Sequence, residues 1–351
     1  AATINIGPIA LLLVPGVVAP FAGKLVDRVS PRKIMLAGSA MAMGSLMVAS
    51  QAPSLLIAGL AFLGFSLGIA FYGPVVVNGL LVKIYPGSEA RALAIAAIGI
   101  SVATVSLPPI VGLLLDAFSW RWALVTMAVC VLCLLWLAIV MGIPAQSQTG
   151  AVSDGKDLQA NIYREKVFWQ VGVCVALGFN VAIVLAICYP LHFISQGFSV
   201  AQTGWFVSLA GVGGLIGKSI LALVADRLQR YASLIAAAIL GVQGLGLLLL
   251  PGATSTVEIV PMVMLLGFTG GAFLPMHSYL NSRYFDAGII GQVTGAQMPL
   301  FLPLGIIGPP LAGYLYDQQG NYHQVLMGLA AVLFAAAVVA ISLPLVRQSN
   351  P

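Results

Sequence analysis

Residues 121–143 read RWALVTMAVCVLCLLWLAIVMGI, a run in which only the first residue is charged. A helix of about 20 apolar residues spans the hydrocarbon core of a bilayer. Comparable runs recur along the whole chain of 351 residues, of which 60% are hydrophobic and 7% are charged. An average soluble domain has about 25% charged residues. The composition therefore excludes a water-soluble globular protein and predicts an all-α membrane protein that crosses the bilayer many times.

The apolar runs predict eleven membrane spans, which one polar interval divides into two groups. The spans are expected at 3–22, 34–51, 54–82, 92–115, 121–143, 167–195, 202–224, 231–250, 258–282, 290–315 and 323–346. The polar interval, 144–166, is rich in Gln, Ser, Gly and charged residues, which is typical of a linker. The sequence thus predicts an N-terminal bundle over 1–143, a cytoplasmic linker over 144–166 and a C-terminal bundle over 167–351.

The basic residues predict the orientation of the chain. With the loops assigned alternately to two sides, thirteen of the fifteen Lys and Arg residues fall on one side, Arg121 falls on the other and Lys218 lies within a span. Cytoplasmic loops carry an excess of Lys and Arg, so we expect the linker and the C-terminus to be cytoplasmic. The net charge of +5 then reflects topology and not a nucleic-acid partner. The short loops favour a bacterial inner membrane.

The two halves of the chain resemble each other at an offset near 200 residues. LPPIVGLLLDAFSWRW at 107–122 matches GPPLAGYLYDQQGNYH at 308–323, and the Asp-Arg pair at 27–28 matches the pair at 226–227. Parallel repeats of this kind build secondary transporters. Two spans precede the second Asp-Arg pair within its half and one precedes the first, so we expect a first helix to be missing from this sequence.

Several motifs resemble those of the major facilitator superfamily. GKLVDRVSPRK at 23–33 is similar to that superfamily's motif between its second and third helices, and GKSILALVADRLQR at 217–230 is similar to its weaker echo in the second half. VKIYPGSEARALAIAAIGIS at 82–101 and GPPLAGYLYDQQGNY at 308–322 resemble the monocarboxylate transporters and the oxalate:formate antiporter-like carriers. The resemblance implies two pseudo-symmetric helical bundles and transport by alternating access.

The sequence departs from those carriers at two points. The missing first helix can contribute a substrate-linked lysine in monocarboxylate transporters. Gly214 stands where some members place an aspartate, four residues before the basic residue Lys218. The sequence therefore does not support proton coupling by that route.

The Asp-Arg loops are candidate gating elements. Asp27 and Arg28, with their echo at Asp226 and Arg227, can pair with helix ends so that contacts on the cytoplasmic side must break before that side opens. Gly23 permits close helix approach. The alternative is that these charges only set the topology.

Lys218 is the candidate substrate-binding cation. An intramembrane charge costs at least ~2.5 kcal/mol on insertion scales, and such residues usually face a water-filled path. No carboxylate lies deep in any predicted span, so an anionic substrate is the natural counter-charge. The alternative is a lysine that snorkels to the interface or is partly neutral.

The segment GVGGLIGKS around Lys218 is not a nucleotide-binding loop, because Val212 stands where such a motif needs Gly. Transport energy is then expected from a gradient. The pairs Gly213 with Gly217 and Gly64 with Gly68 have the spacing of small-residue helix packing.

Two pairs of polar residues are secondary candidates to line the substrate path. His192 shares a helix face with Tyr189, and His277 shares one with Asn281. Substrate binding, proton transfer and ordinary hydrogen bonding between helices are all open for them. His323 is expected to be solvated. We expect no metal site, no cofactor and no catalytic residues.

The sequence therefore predicts a monomeric secondary transporter that moves a small, monocarboxylate-like organic anion across a lipid bilayer, with protons or by exchange. A multidrug or other solute exporter of the same superfamily is the alternative. An exporter of cations predicts a membrane-buried carboxylate. A transport-dead membrane sensor is an alternative of another class. An enzyme is not expected, because no nucleophile, base and orienting group stand together in the sequence.

Overall fold

The computed structural model describes residues 6–143, 162–225 and 227–345, in which it contains fourteen α-helices, five short 3-10 helices and no strand. The all-α prediction is confirmed. The α-helices are α1 (Ile6–Arg28), α2 (Pro31–Ser50), α3 (Leu55–Tyr72), α4 (Pro74–Ile84), α5 (Glu89–Ala117), α6 (Trp120–Gly142), α7 (Lys166–Ser195), α8 (Val200–Val224), α9 (Ala232–Leu249), α10 (Thr256–Phe273), α11 (Met276–Tyr284), α12 (Ile290–Gln297), α13 (Leu302–Gln319) and α14 (His323–Ile341). The 3-10 helices are Ile162–Arg164, Gln229–Tyr231, Leu250–Gly252, Ala287–Ile289 and Met298–Phe301.

Nine stretches of the described residues are long and apolar enough to cross a membrane, judged by length and composition. The two other expected spans, 3–22 and 92–115, overlap α1 and α5. The described residues of the apolar runs are therefore mainly helical.

Three expected spans are each divided into two helices. The spans at 54–82, 258–282 and 290–315 break at Gly73, between α10 and α11, and at the 3-10 helix Met298–Phe301. Each break holds a proline, namely Pro74, Pro275 or Pro299. Proline lacks the N–H that an uninterrupted helix needs, and it suits the first turn of a new helix.

The chain folds into two compact units, and α5 contributes to both. The first unit comprises Ala1–Ile84, Val102–Gln159 and Phe285–Leu302, and the second comprises Tyr85–Ser101, Ala160–Tyr284 and Pro303–Pro351. The division into bundles over 1–143 and 167–351 stays a prediction.

Glycines allow the close helix contacts inside the first unit. A Cβ added at Gly68 would lie 2.6 Å from the backbone nitrogen of Ala42, and one added at Gly64 would lie 2.5 Å from Ser45 Oγ. Both contacts join α3 to α2. The predicted packing role of this glycine pair is confirmed.

A second glycine contact joins α8 to α10 inside the second unit. A Cβ at Gly213 would overlap the carbonyl oxygen of Met264, and one at Gly217 would overlap that of Phe268. The predicted packing role of Gly213 and Gly217 is confirmed too. This contact packs one face of α8 against α10. Lys218, the first residue of the candidate site to be described, directly follows Gly217.

Candidate substrate site and gate

Lys218 lies inside α8, six residues before its end at Val224, and is only 5% exposed. Its ammonium donates a hydrogen bond to Ser101 Oγ at 2.6 Å. Ser101 lies twelve residues after the first residue of α5, about 18 Å along that helix. The ammonium of Lys218 is thus bonded to a residue well inside the neighbouring helix α5. A snorkelling lysine would instead extend along its own helix to the membrane interface.

The ammonium of Lys218 has no charged partner among the described residues. Its hydrogen bond goes to a neutral hydroxyl, whereas an ammonium has three N–H donors. Buried charges are normally paired, because desolvation of a lone charge is costly. The site therefore has a positive charge and unused donors for an anion.

Tyr189 and His192 lie on one face of α7 and are 6% and 1% exposed. Within the described residues, neither ring nitrogen of His192 nor the hydroxyl of Tyr189 has a hydrogen-bond partner. The centre of the His192 ring is 6.0 Å from that of His323, which is itself exposed as expected. Tyr189 and His192 therefore form a buried polar pair, and within the described residues neither makes a hydrogen bond to Lys218.

His277 and Asn281 lie on α11 and are 4% and 0% exposed. Each takes part in at least one hydrogen-bond, ring or electrostatic contact, so neither is a free side chain, and both stay candidate ligands. Between them, the hydroxyl of Tyr279 donates to the carbonyl oxygen of Ala225 at 2.7 Å. This bond ties α11 to the end of α8, the helix that carries Lys218.

The predicted gating residues are described only in part. Gly23 is buried on α1, and a Cβ added there would overlap the carbonyl oxygen of Gly291 on α12. Arg227 is exposed. The side chains of Asp27 and Arg28, and the whole of Asp226, lie outside the described residues.

A buried ion pair, which sequence reasoning missed, joins the start of α5 to the end of α11. Arg283 pairs with Glu89, and the two side chains are 10% and 8% exposed. Arg283 Nη1 also donates to Gln229 Oε1 at 2.6 Å, and Gln229 Nε2 donates to the carbonyl oxygen of Gly87 at 2.9 Å. The network thus joins Glu89 in the first turn of α5, and Gly87 just before that helix, to Arg283 and Gln229.

Ser101, Glu89 and Arg283 were absent from the sequence-based candidates. One signal was available for Glu89, which is one of only ten acidic residues and lies among basic loops. No local signal marks Ser101, because its partner is 117 residues away in the chain. Within the described part of the chain, no group of three or more His, Cys, Asp or Glu residues is arranged to hold a metal ion.

Comparisons with known proteins agree on one family. The model of the Major Facilitator Superfamily matches residues 1–307. A 2-nitroimidazole transporter of Escherichia coli is 27% identical, over 93% of this chain and 82% of its own length. Monocarboxylate transporter 13 of Rattus norvegicus is 23% identical, over 93% of this chain and 76% of its own length.

Solved structures share the fold at lower identity. The transporter FucP in its outward conformation matches with a TM-score of 0.78 and 14% identity, over 96% of this chain and 89% of its own. The human organic anion transporter TETRAN matches with a TM-score of 0.71 and 14% identity, over 95% of this chain and 82% of its own. These likenesses concern the fold alone.

Proposed function

This chain belongs to the Major Facilitator Superfamily, and from that premise we propose that it carries a small organic anion by alternating access. As a member of that family it is a multi-pass integral membrane transporter of a small molecule, and not an enzyme. The proposed substrate is a monocarboxylate or a similar acid, moved with a proton or in exchange for another anion.

The observation that carries this proposal is the state of Lys218. Its charge is buried, and among the described residues its one hydrogen-bond partner is the neutral hydroxyl of Ser101. Intramembrane charges of this kind mark substrate paths, and a carboxylate would supply both the missing charge and the acceptors. The names of the monocarboxylate transporters at 23–26% identity support the same substrate class.

A second candidate is a solute exporter for an uncharged heteroaromatic compound. It is favoured by the relative named a 2-nitroimidazole transporter, which is 27% identical to this chain. Such a solute would leave Lys218 without a counter-charge, which is why we rank it second.

In the proposed cycle, contacts near the start of α5 and the end of α1 close the cytoplasmic side. The ion pair between Glu89 and Arg283 and the close approach of Gly23 to Gly291 would be two such contacts. Asp27, with Arg28, Asp226 and Arg227, would add charges to the same closure. Opening of that side must break them, so they set the stability of the closed state.

Tyr189, His192, His277 and Asn281 would line the path or carry protons. The protein would act as a monomer in a bacterial inner membrane, with the linker and the C-terminus in the cytoplasm.

A thermal-shift screen tests the substrate class. The purified protein is heated with propionate or benzoate, with the uncharged amides propionamide or benzamide, and with 2-nitroimidazole. A ligand stabilises the folded state by RT ln(1 + [L]/Kd), so we expect a carboxylate to raise the midpoint and its amide not to. Stabilisation by 2-nitroimidazole with none by the carboxylates would contradict the anion proposal and favour the second candidate.

A further inference from the structure

Ser101 differs from four other helical serines of this protein in the hydrogen bond that its side chain makes. Ser66, Ser106, Ser208 and Ser219 each donate to the carbonyl oxygen four residues earlier, at 2.8–2.9 Å. Ser101 makes no such bond within the described residues and accepts a hydrogen bond from Lys218 instead. Because its oxygen is the acceptor in that bond, the hydroxyl hydrogen is still available to donate.

The two side chains together present donors to any ligand that reaches them. Within the part of the chain that the structure describes, the ammonium keeps two N–H groups without a partner, and Ser101 adds one O–H. A hydroxyl that accepts from an ammonium is polarised, and it becomes a stronger donor to the next acceptor. Ser101 is half-buried, so a ligand has access from its side of the pair.

We propose that Ser101 is a second substrate-binding residue, which donates to one oxygen of the transported carboxylate while Lys218 holds the other. This inference rests on the proposed function and deepens it, because it names the group that is recognised. A carboxylate ion has acceptors only, so it fits a pair of donors. The corresponding amide would turn an NH₂ group toward one of these donors.

The proposal predicts a loss that depends on the hydroxyl. Removing one hydrogen bond to a charged group should weaken binding by about tenfold or more. Ser101→Ala should show this loss, and Ser101→Thr, which keeps the hydroxyl, should bind within about threefold of the natural protein. Ser101→Cys, whose thiol is a weak donor, should lie between them and replaces Ser101→Ala if that variant does not fold.

The experiment is calorimetry of benzoate and propionate binding to the full chain in detergent, with a double-mutant cycle. Ser219→Ala is the matched control, because it removes a hydroxyl from the residue next to Lys218 that is exposed and bonded within its own helix. In the Lys218→Ala background, Ser101→Ala should weaken binding by a clearly smaller factor than in the natural protein, because both groups bind the same carboxylate.

Three possible results distinguish the proposed role of Ser101 from the proposed function itself. Natural affinity in Ser101→Ala, while Lys218→Ala binds poorly, overturns the role of Ser101 and leaves the proposed function standing. Equal losses in Ser101→Ala and Ser101→Thr overturn it too, because the hydroxyl is then irrelevant. Natural affinity in Lys218→Ala overturns the proposed function itself.

Discussion

Replacing Glu89 by Gln removes the negative charge that faces Arg283 and keeps the size of the side chain. Removing one partner of a fully buried pair costs about 3–5 kcal/mol. Here the side chains are 8% and 10% exposed, and Arg283 keeps its bond to Gln229 at 2.6 Å. We therefore expect the stability of this region to fall by less, namely by the contribution of one hydrogen bond to a charged group, about 1.5–3 kcal/mol.

The loss should appear as local opening at the start of α5. A difference of about 1.5–3 kcal/mol raises the open population by about 10- to 150-fold. Amide hydrogen exchange reports such local opening. In the Glu89→Gln protein, peptides covering 85–101 should exchange faster, and peptides covering α14 at 323–341 should be unchanged.

Two further variants make the result specific to the ion pair. Glu165→Gln makes the same chemical change at an exposed position before α7, and it should leave exchange at 85–101 unaltered. Exchanging the two charges, with Glu89→Arg and Arg283→Glu, should restore most of the protection. The restoration should be incomplete by about 0.3–1 kcal/mol, because a cation in the first turn opposes the helix dipole. Unchanged exchange at 85–101 in Glu89→Gln would refute the reasoning.

Further predictions concern packing, a buried hydrogen bond and the motif loop. Gly217→Ala should lower the free energy of unfolding by about 1–3 kcal/mol through overpacking. On the same helix, a Cβ added at Gly211 would meet no atom within 4 Å, so Gly211→Ala should be neutral or stabilising. Equal thermal midpoints of the two variants would contradict this prediction. Tyr279→Phe should lower the midpoint more than Tyr284→Phe, whose hydroxyl bonds at an exposed site; the reverse order would be unexpected. Asp27→Asn should fold normally and slow uptake into proteoliposomes, and natural uptake would remove its gating role.

The helical membrane architecture could be predicted from the sequence because it depends on local composition. Apolar runs of span length, such as 121–143, must be helical in a bilayer, since every backbone polar group needs an internal partner. The breaks at Pro74, Pro275 and Pro299 were missed. Average hydropathy over a span does not register the loss of a single N–H, although each proline was visible.

Within the candidate site, the sequence could predict only a residue that its own chemistry marks. Lys218 stands out because a charge in an apolar run is costly wherever it points, and its burial agrees with that expectation. Ser101 and the Glu89–Arg283 pair became visible only in the folded chain. Their partners are more than one hundred residues apart, and helix periodicity carries no information on contacts at that separation.

The measurement that tests the central claim most directly is uptake of benzoate into proteoliposomes by the natural protein, Lys218→Ala and Lys218→Arg, with affinities from calorimetry. Loss of the ammonium should weaken anion binding by about 10- to 150-fold and abolish most uptake. Lys218→Arg should retain more function than Lys218→Ala but less than the natural protein, because a guanidinium differs in shape and reach. If Lys218→Ala binds and transports benzoate as well as the natural protein does, the lysine is structural and the anion assignment is contradicted.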